Sequence, residues 1–158
     1  VLGEHSEVLE TSAFSEVSIG VRPQPDLVLQ AMKKLDGLRV LRPVLAPTSL
    51  EAEGWNLRQA VPGFRQASCV RRSMSAGGEG EAGADAPQAL QAIFSDGLTH
   101  VSVFIEPFDV RRHTRPMLAA VGATQTLMKR QGEWWITVVG DVPAATLRQF
   151  AGALERRK

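Results

Sequence analysis

The sequence predicts an α+β fold, a mostly antiparallel sheet with a C-terminal helix packed on one face. Three stretches indicate it. Residues 92–106 place two strand-forming runs around Asp96-Gly97, which is a strong hairpin signal. Residues 133–139, EWWITVV, read as a further strand. Residues 142–156 then carry apolar side chains at helical spacing, so this helix is expected to close over the sheet.

The Asp96-Gly97 hairpin is expected to lie at the centre of the sheet. A type I′ turn there requires positive φ at both residues. In the following strand, 98–105, three apolar residues share one phase and predict a core face. The other phase carries Phe104 among polar residues and predicts a partly solvated face.

Composition limits the possible functions. A chain of 158 residues with 44% apolar residues is enough for one domain, or a small domain with an appendage. The net charge of +1 gives no reason to expect binding to nucleic acid or an acidic membrane. Cys69 is alone, which excludes an internal disulfide and a cysteine-built zinc site. Three His without a His-x-x-x-His pair argue against any metal site.

The first part of the chain reads as an appendage in two pieces. Residues 1–20 are rich in strand formers, and we expect a strand remnant of a larger N-terminal domain. The alternative is an ordinary N-terminal strand added to the next sheet. Residues 21–53 predict a short helix after Asp26, with Gly37 ending it, and then a proline-containing linker.

Residues 54–158 are expected to form the α+β domain. Its predicted strands are 64–72, 89–94, 98–105, 122–131 and 133–139. Between the first two, residues 73–88 are low in complexity and rich in Gly, Ala, Ser and acid. That composition predicts a mobile hairpin loop, dispensable for stability, although an acidic recognition tail is the alternative.

Two neighbouring tryptophans must point to opposite faces of their strand. Trp134 shares a phase with Ile136 and is expected to meet the helix. Trp135 is expected on the other face, near Phe104, where a solvated aromatic patch would be a partner surface. The alternative is that the linker 38–50 or a missing domain covers this face.

Arginines follow the central hairpin. Arg111, Arg112 and Arg115 offer planar forks that suit carboxylates or phosphates, and a solvated loop is the alternative. The hypothesis is that these three residues bind a partner together with Phe104 and Trp135. Cys69 is interpreted as a small buried hydrophobe.

No catalytic set of residues is recognisable, so a non-enzymatic protein without a cofactor is expected. The glycine-rich run 77–80 lacks the Lys-Ser/Thr of a phosphate-binding loop. Ser, His and Asp occur, but no Gly-x-Ser-x-Gly motif supports a hydrolase.

Four motifs follow one another along residues 54–158. They are Trp55 with Val61-Pro62-Gly63-Phe64, Arg71-Arg72, Phe94-Ser95-Asp96-Gly97-Leu98, and Ile136-Thr137-Val138-Val139-Gly140-Asp141-Val142-Pro143. In this order they resemble the C-terminal domain of the MucB/RseB family. Residues 8–10 also resemble the end of that family's larger N-terminal domain. The long loop 73–88 and the paired tryptophans depart from the family pattern.

The resemblance implies a periplasmic negative regulator of the envelope-stress sigma factor. Such proteins bind the periplasmic segment of a membrane-bound anti-sigma factor and shield it from proteolysis. The N-terminal domain, mostly missing from this chain on this interpretation, is implied to sense lipid. Two other classes stay open: a lipid or lipoprotein carrier module, and a homo-oligomerising structural domain that uses the Trp135 and Phe104 face.

Overall fold

The computed structural model describes residues 1–3, 6–22, 25–33, 45–73 and 88–157. They belong to two compact units, one formed by Val1–Glu10 with Val44–Lys158 and the other by Thr11–Pro43. The smaller unit contains the predicted short helix, α1 (Pro25–Lys33), with Asp26 in its first turn. The predicted end of this helix at Gly37 lies outside the described residues.

The larger unit is built on antiparallel strands. They are β1 (Leu45–Pro47), β2 (Trp55–Leu57), β3 (Arg65–Ser73), β4 (Gln88–Ser95), β5 (His100–Pro107), β6 (Met117–Val121), β7 (Thr124–Gln131), β8 (Trp134–Gly140) and β9 (Leu154–Arg156), with helix α2 (Ala144–Ala153) between the last two. Seven strands form one sheet in the order β1-β3-β4-β5-β8-β7-β6, and β2 pairs with β9. The predicted α+β fold is confirmed.

The predicted loop 73–88 joins β3 to β4, because Ser73 pairs with Gln88. Its interior, residues 74–87, lies outside the described residues.

The central hairpin is present, but its turn is not type I′. Ser95 pairs with His100, so the loop has four residues, and of these only Gly97 has a positive φ, +97°. The Asp96 carboxylate accepts backbone hydrogen bonds from Leu98 and Thr99 at 2.9 and 2.8 Å. These bonds hold the pKa of Asp96 below its usual value. The Asp96 side chain therefore stabilises a four-residue loop where the sequence predicted a two-residue Asp-Gly turn.

The core lies between the inner face of the sheet and α2. Val101, Val103 and Ile105 of β5 are at most 1% exposed, as their phase predicts. Leu147 and Phe150 of α2 pack against them and are equally buried. Burying each large apolar side chain stabilises the fold by about 1.5–3 kcal/mol.

The predicted helix 142–156 is too long. After Ala153 the chain turns extended at Leu154 and forms β9, which pairs with β2. This pairing places Trp55 opposite Arg156, with the Trp55 side chain 1% exposed. Leu154 has the spacing of the apolar stripe of the helix, so its burial was predicted correctly. Its conformation was not, because the backbone there pairs with β2 and does not continue the helix.

The predicted strand 122–131 is one half of a hairpin. Gly122 and Ala123 form a two-residue turn between β6 and β7, with φ of +59° at Gly122. Glycine at the first central position with positive φ is the type II′ arrangement, which matches the twist of antiparallel strands. The same arrangement occurs at Gly132, between β7 and β8.

No strand from the described part of residues 1–20 joins the sheet, so the alternative of an added N-terminal strand is wrong, whereas the remnant of a larger domain stays a prediction. The described part of this segment has one isolated bridge, between Leu2 and Val8, and residues 11–20 form no strand. Phe14 and Ile19 are 88% and 92% exposed. Their apolar side chains fall on opposite phases, so a strand here would have no single face to bury.

The turn before β2 is tied to β3 by an ion pair. Arg71 Nη2 donates to both carboxylate oxygens of Glu53, at 2.7 and 2.6 Å, and Thr48 Oγ1 donates to the same carboxylate at 2.8 Å. The hydrogen bond from Arg71 is the main cause that lowers the pKa of Glu53. A carboxyl with a lowered pKa in the folded state stabilises the fold above its ordinary pKa and loses this contribution as pH falls.

We therefore predict that Glu53→Gln lowers the free energy of unfolding at pH 7 by about 1 kcal/mol, the scale of a partly exposed ion pair. The difference from the unmodified chain should shrink as pH falls below the ordinary value of 4.5 and through the lowered pKa. Urea unfolding at several pH values measures it, with exposed Glu51→Gln as the matched control. An equal difference at pH 7 and pH 3 would contradict this assignment.

Candidate partner-binding surface

The outer face of the sheet is the face opposite α2, and a row of side chains crosses four of its strands. Strand register places Phe104 opposite Thr137, Thr137 opposite Met128, and Met128 opposite Met117. The first three are partly exposed, and Met117 is 42% exposed. This outer row therefore runs from the centre of the sheet to its edge at β6 and is mostly apolar.

Trp135 lies on the outer face, as predicted, but it is not exposed. Its side chain is 4% accessible because the loop after β5 folds over it. The His113 ring stacks on it with centroids 4.9 Å apart and planes 13° from parallel, and Phe108 lies 6.0 Å away. The expected solvated aromatic patch is therefore wrong at Trp135. Among the described residues, the element that covers Trp135 is the loop that carries the arginines.

His113 fixes the shape of this loop. The backbone N–H of Asp109 donates to His113 Nδ1 at 2.9 Å. The backbone N–H of His113 donates in turn to the Asp109 carbonyl at 2.8 Å. With a donor at Nδ1, the neutral ring carries its proton on Nε2, which lies 3.3 Å from Glu106 Oε1. Both ring nitrogens are engaged, so His113 acts as a structural residue here.

Glu106 anchors the same loop from β5. It is 6% exposed, and Arg112 Nη2 donates to its Oε2 at 2.8 Å. A buried carboxylate is costly unless charged or polar partners compensate for the lost water. Arg112 and His113 together supply those partners. Arg112, predicted as a partner-binding residue, is thus committed to an internal ion pair.

The other two arginines differ from Arg112 in their surroundings. Arg111 is 87% exposed and pairs with both oxygens of Asp109, at 3.3 and 3.2 Å. This pairing lowers the pKa of Asp109 and raises that of Arg111. Arg115 is exposed and makes no hydrogen bond or ion pair to any residue within the described ranges.

These features enclose a shallow cleft of about 230 Å³ on the outer face. Its lining consists of Glu106, Arg112, His113, Thr114, Arg115, Met128, Trp135 and Thr137. Three of the five predicted residues, Arg112, Arg115 and Trp135, therefore meet at one place. Phe104 adjoins it through Thr137, and Arg111 is not part of the lining.

Sequence reasoning missed Glu106, His113 and Met128. Glu106 shares the phase of Phe104, so its outward direction was readable from alternation. Met128 lies inside the predicted strand 122–131, whose sequence pattern does not show which face is buried. No local pattern indicated that His113 would stack on Trp135, because that contact depends on how the loop folds back.

The cleft offers the Arg115 guanidinium, which has no partner among the described residues, next to apolar side chains. This combination suits a carboxylate that is followed or preceded by an apolar side chain, as in an acidic peptide. Across the described part of the chain, no three His, Cys, Asp or Glu side chains form a group that could hold a metal ion. No helix within the same residues is long and apolar enough to span a membrane.

A larger groove, about 410 Å³, lies on the opposite side of the domain, between residues 58–62 and α2. Arg148 lines it, and Arg58 at its rim pairs with Glu155 at 3.3 Å. Of its apolar lining residues, Val61 is 5% exposed and belongs to the core.

The fold resembles that of two solved structures with a TM-score of 0.67 and 22% sequence identity in each case. One is MucB in complex with MucA(peri), and the other is the MucA/MucB complex of Pseudomonas aeruginosa. The alignments cover 99% of this chain and 51% and 49% of those chains, so this chain spans about half their length. At this identity the likeness shows the fold.

No curated protein matches the chain. A family model described as the MucB/RseB C-terminal domain matches residues 49–155, which is most of the sheet together with α2 and part of β9. The chain therefore belongs to the MucB/RseB family, of which residues 49–155 form the C-terminal domain.

Proposed function

We propose that this chain binds the periplasmic part of a transmembrane anti-sigma factor and protects it from proteolysis. It would thereby act, without enzymatic activity and in the periplasm, as a negative regulator of the envelope-stress sigma factor pathway. The match to the MucB/RseB C-terminal domain is the observation that carries the proposal. The two similar structures support it, since each is a complex of MucB with MucA.

The outer face supplies a physical basis for such binding. The outer row offers apolar contact area, and Arg115 offers at one end of it a charge that no described residue pairs. Interfaces commonly combine an apolar centre with arginine anchors. Because Arg111 and Arg112 already hold internal carboxylates, Arg115 is the arginine of the three best placed to receive one from a partner.

Two further roles stay predictions. One is a lipid or lipoprotein carrier module, and the other is a homo-oligomerising structural domain that uses the Trp135 and Phe104 face. Neither has a specific observation in its favour over anti-sigma binding.

The first test exchanges the charge of Arg115. We expect Arg115→Glu to weaken binding of the purified periplasmic segment of the cognate anti-sigma factor at least tenfold, about 1.4 kcal/mol. The cause is loss of the charge-assisted contact and repulsion of the partner's carboxylate. Isothermal titration calorimetry measures the affinity, and Arg148→Glu on α2 is the control with the same charge change. Equal affinities of the two variants would contradict a role for Arg115.

The second test concerns Trp135, whose burial changes the expected effect of its replacement. We predict that Trp135→Ala lowers the free energy of unfolding by about 3 kcal/mol, because it leaves a cavity under His113. Phe104→Ala, on the same face but partly exposed, should cost less. Urea unfolding of both variants measures the difference. A Trp135→Ala variant as stable as the unmodified chain would show that the loop does not pack on it.

A further inference from the structure

The seven-stranded sheet has two edges, and they differ in how well they are protected. Strand β1 has three residues and ends at Pro47, which has no N–H to offer. Strand β6 has five residues, MLAAV, with no charge and no proline, and its register with β7 is unbroken. Natural edge strands are usually blunted by charges, proline, bulges or shortness, and β6 has none of these within its span.

The hydrogen-bonding groups of β6 alternate in direction. In a two-residue hairpin the residues flanking the turn, here Val121 and Thr124, bond to each other. By alternation Ala119 and Met117 also bond to β7, and Leu118 and Ala120 direct their N–H and C=O groups to the open side. No backbone hydrogen bond joins residues 117–121 to anything but β7 in the described part of the chain.

The side chains along this edge are also accessible. Met117 and Leu118 are 42% and 41% exposed, and Val121 is 82% exposed. The outer row ends at Met117, and Arg115 lies two residues before the strand begins. The outward backbone groups of β6, the outer row and the Arg115 guanidinium therefore lie next to one another.

We propose that β6 is the docking edge for an extended, acidic segment of the anti-sigma factor, which adds to the sheet as an eighth strand. This inference rests on the proposed function and specifies its geometry. Main-chain hydrogen bonds to Leu118 and Ala120 hold the segment, as in other cases of strand addition. Its apolar side chains lie over the outer row at Met117.

Charge fixes the kind of segment and favours one direction. Arg115 lies at the amino end of β6, so the carboxyl end of an antiparallel segment comes to lie beside it. The segment is thus expected to have apolar residues at alternate positions followed by Asp or Glu. A second copy of this chain would present its own MLAAV edge, which carries no carboxylate for Arg115.

The direct test is amide hydrogen exchange in the 158-residue chain, with and without the purified periplasmic segment of the cognate anti-sigma factor. We expect the Leu118 and Ala120 amides to exchange quickly in the free chain and at least tenfold more slowly in the complex. The Ala119 amide, already bonded to β7, should change less. A general stabilisation of the fold would not slow exchange at the Leu118 and Ala120 amides while changing the Ala119 amide less.

A pair of variants tests the same contact by affinity. Ala120→Pro removes the outward N–H and should weaken binding at least tenfold, whereas Ala120→Val keeps that N–H and should bind within about twofold of the unmodified chain. Thermal unfolding of both variants checks that the fold is retained. The exchange measurement needs no variant, so it decides the question even if Ala120→Pro does not fold.

Each outcome separates this inference from the function on which it rests. Binding without protection at Leu118 and Ala120 would overturn strand addition at β6 and leave the proposed function standing. Absence of any binding by the unmodified chain would overturn the proposed function itself. Protection that appears in the chain alone as its concentration rises would show a second copy at this edge and overturn the choice of occupant.

Discussion

The alternation of side chains along β8 is the constraint on which the domain depends. Because consecutive residues of a strand point to opposite faces, Trp134 and Trp135 cannot enter the same core. Trp134 packs edge-on against Trp55 with centroids 5.6 Å apart, and the Arg156 guanidinium lies 4.4 Å from its ring centroid. Strands β2 and β9 thus complete the inner side, and Trp135 is left to the outer face.

Covering Trp135 determines the shape of the outer face. The loop after β5 closes over its ring through His113 and Phe108, and Arg130 in turn lies 4.0 Å from the Phe108 centroid. Glu106 is buried beneath the loop and is stabilised by Arg112 and His113. One end of the face is therefore closed, and the outer row remains open toward β6. Arg115 lies two residues after His113, so the contacts that hold His113 also position Arg115 beside the cleft.

Much of the fold was predictable because its signals are local. The alternation in β5, the phase difference of the two tryptophans and the apolar stripe of Leu147 and Phe150 each follow from short-range periodicity. The conformation of Leu154 was not predictable in this way, because its β pairing with Leu57 is a contact between distant parts of the sequence. Residues 1–20 have strand propensity, but no strand of the sheet pairs with them in the described part of the chain, so propensity alone did not decide their conformation.

The location of the candidate site was predictable in the same way, but the roles of its residues were not. The sequence predicted that Arg112, Arg115 and Trp135 lie together, because the arginines follow β5 and Trp135 points to the same face of the sheet as Phe104 of β5. It could not assign them different roles, because those depend on which carboxylate each arginine meets and on what covers the tryptophan. Glu106 forms an ion pair with Arg112, and His113 stacks on Trp135. The surface available to a partner is therefore the outer row and β6 and not the Trp135 ring.

The central claim is that the partner uses the outer face and not the helix side. Backbone chemical shifts of the ¹⁵N-labelled chain, titrated with the purified periplasmic segment of the cognate anti-sigma factor, test it most directly. The account predicts that the largest changes fall at Arg115, in β6 and at Met128, with little change in α2. Changes confined to α2 and residues 58–62 would contradict it.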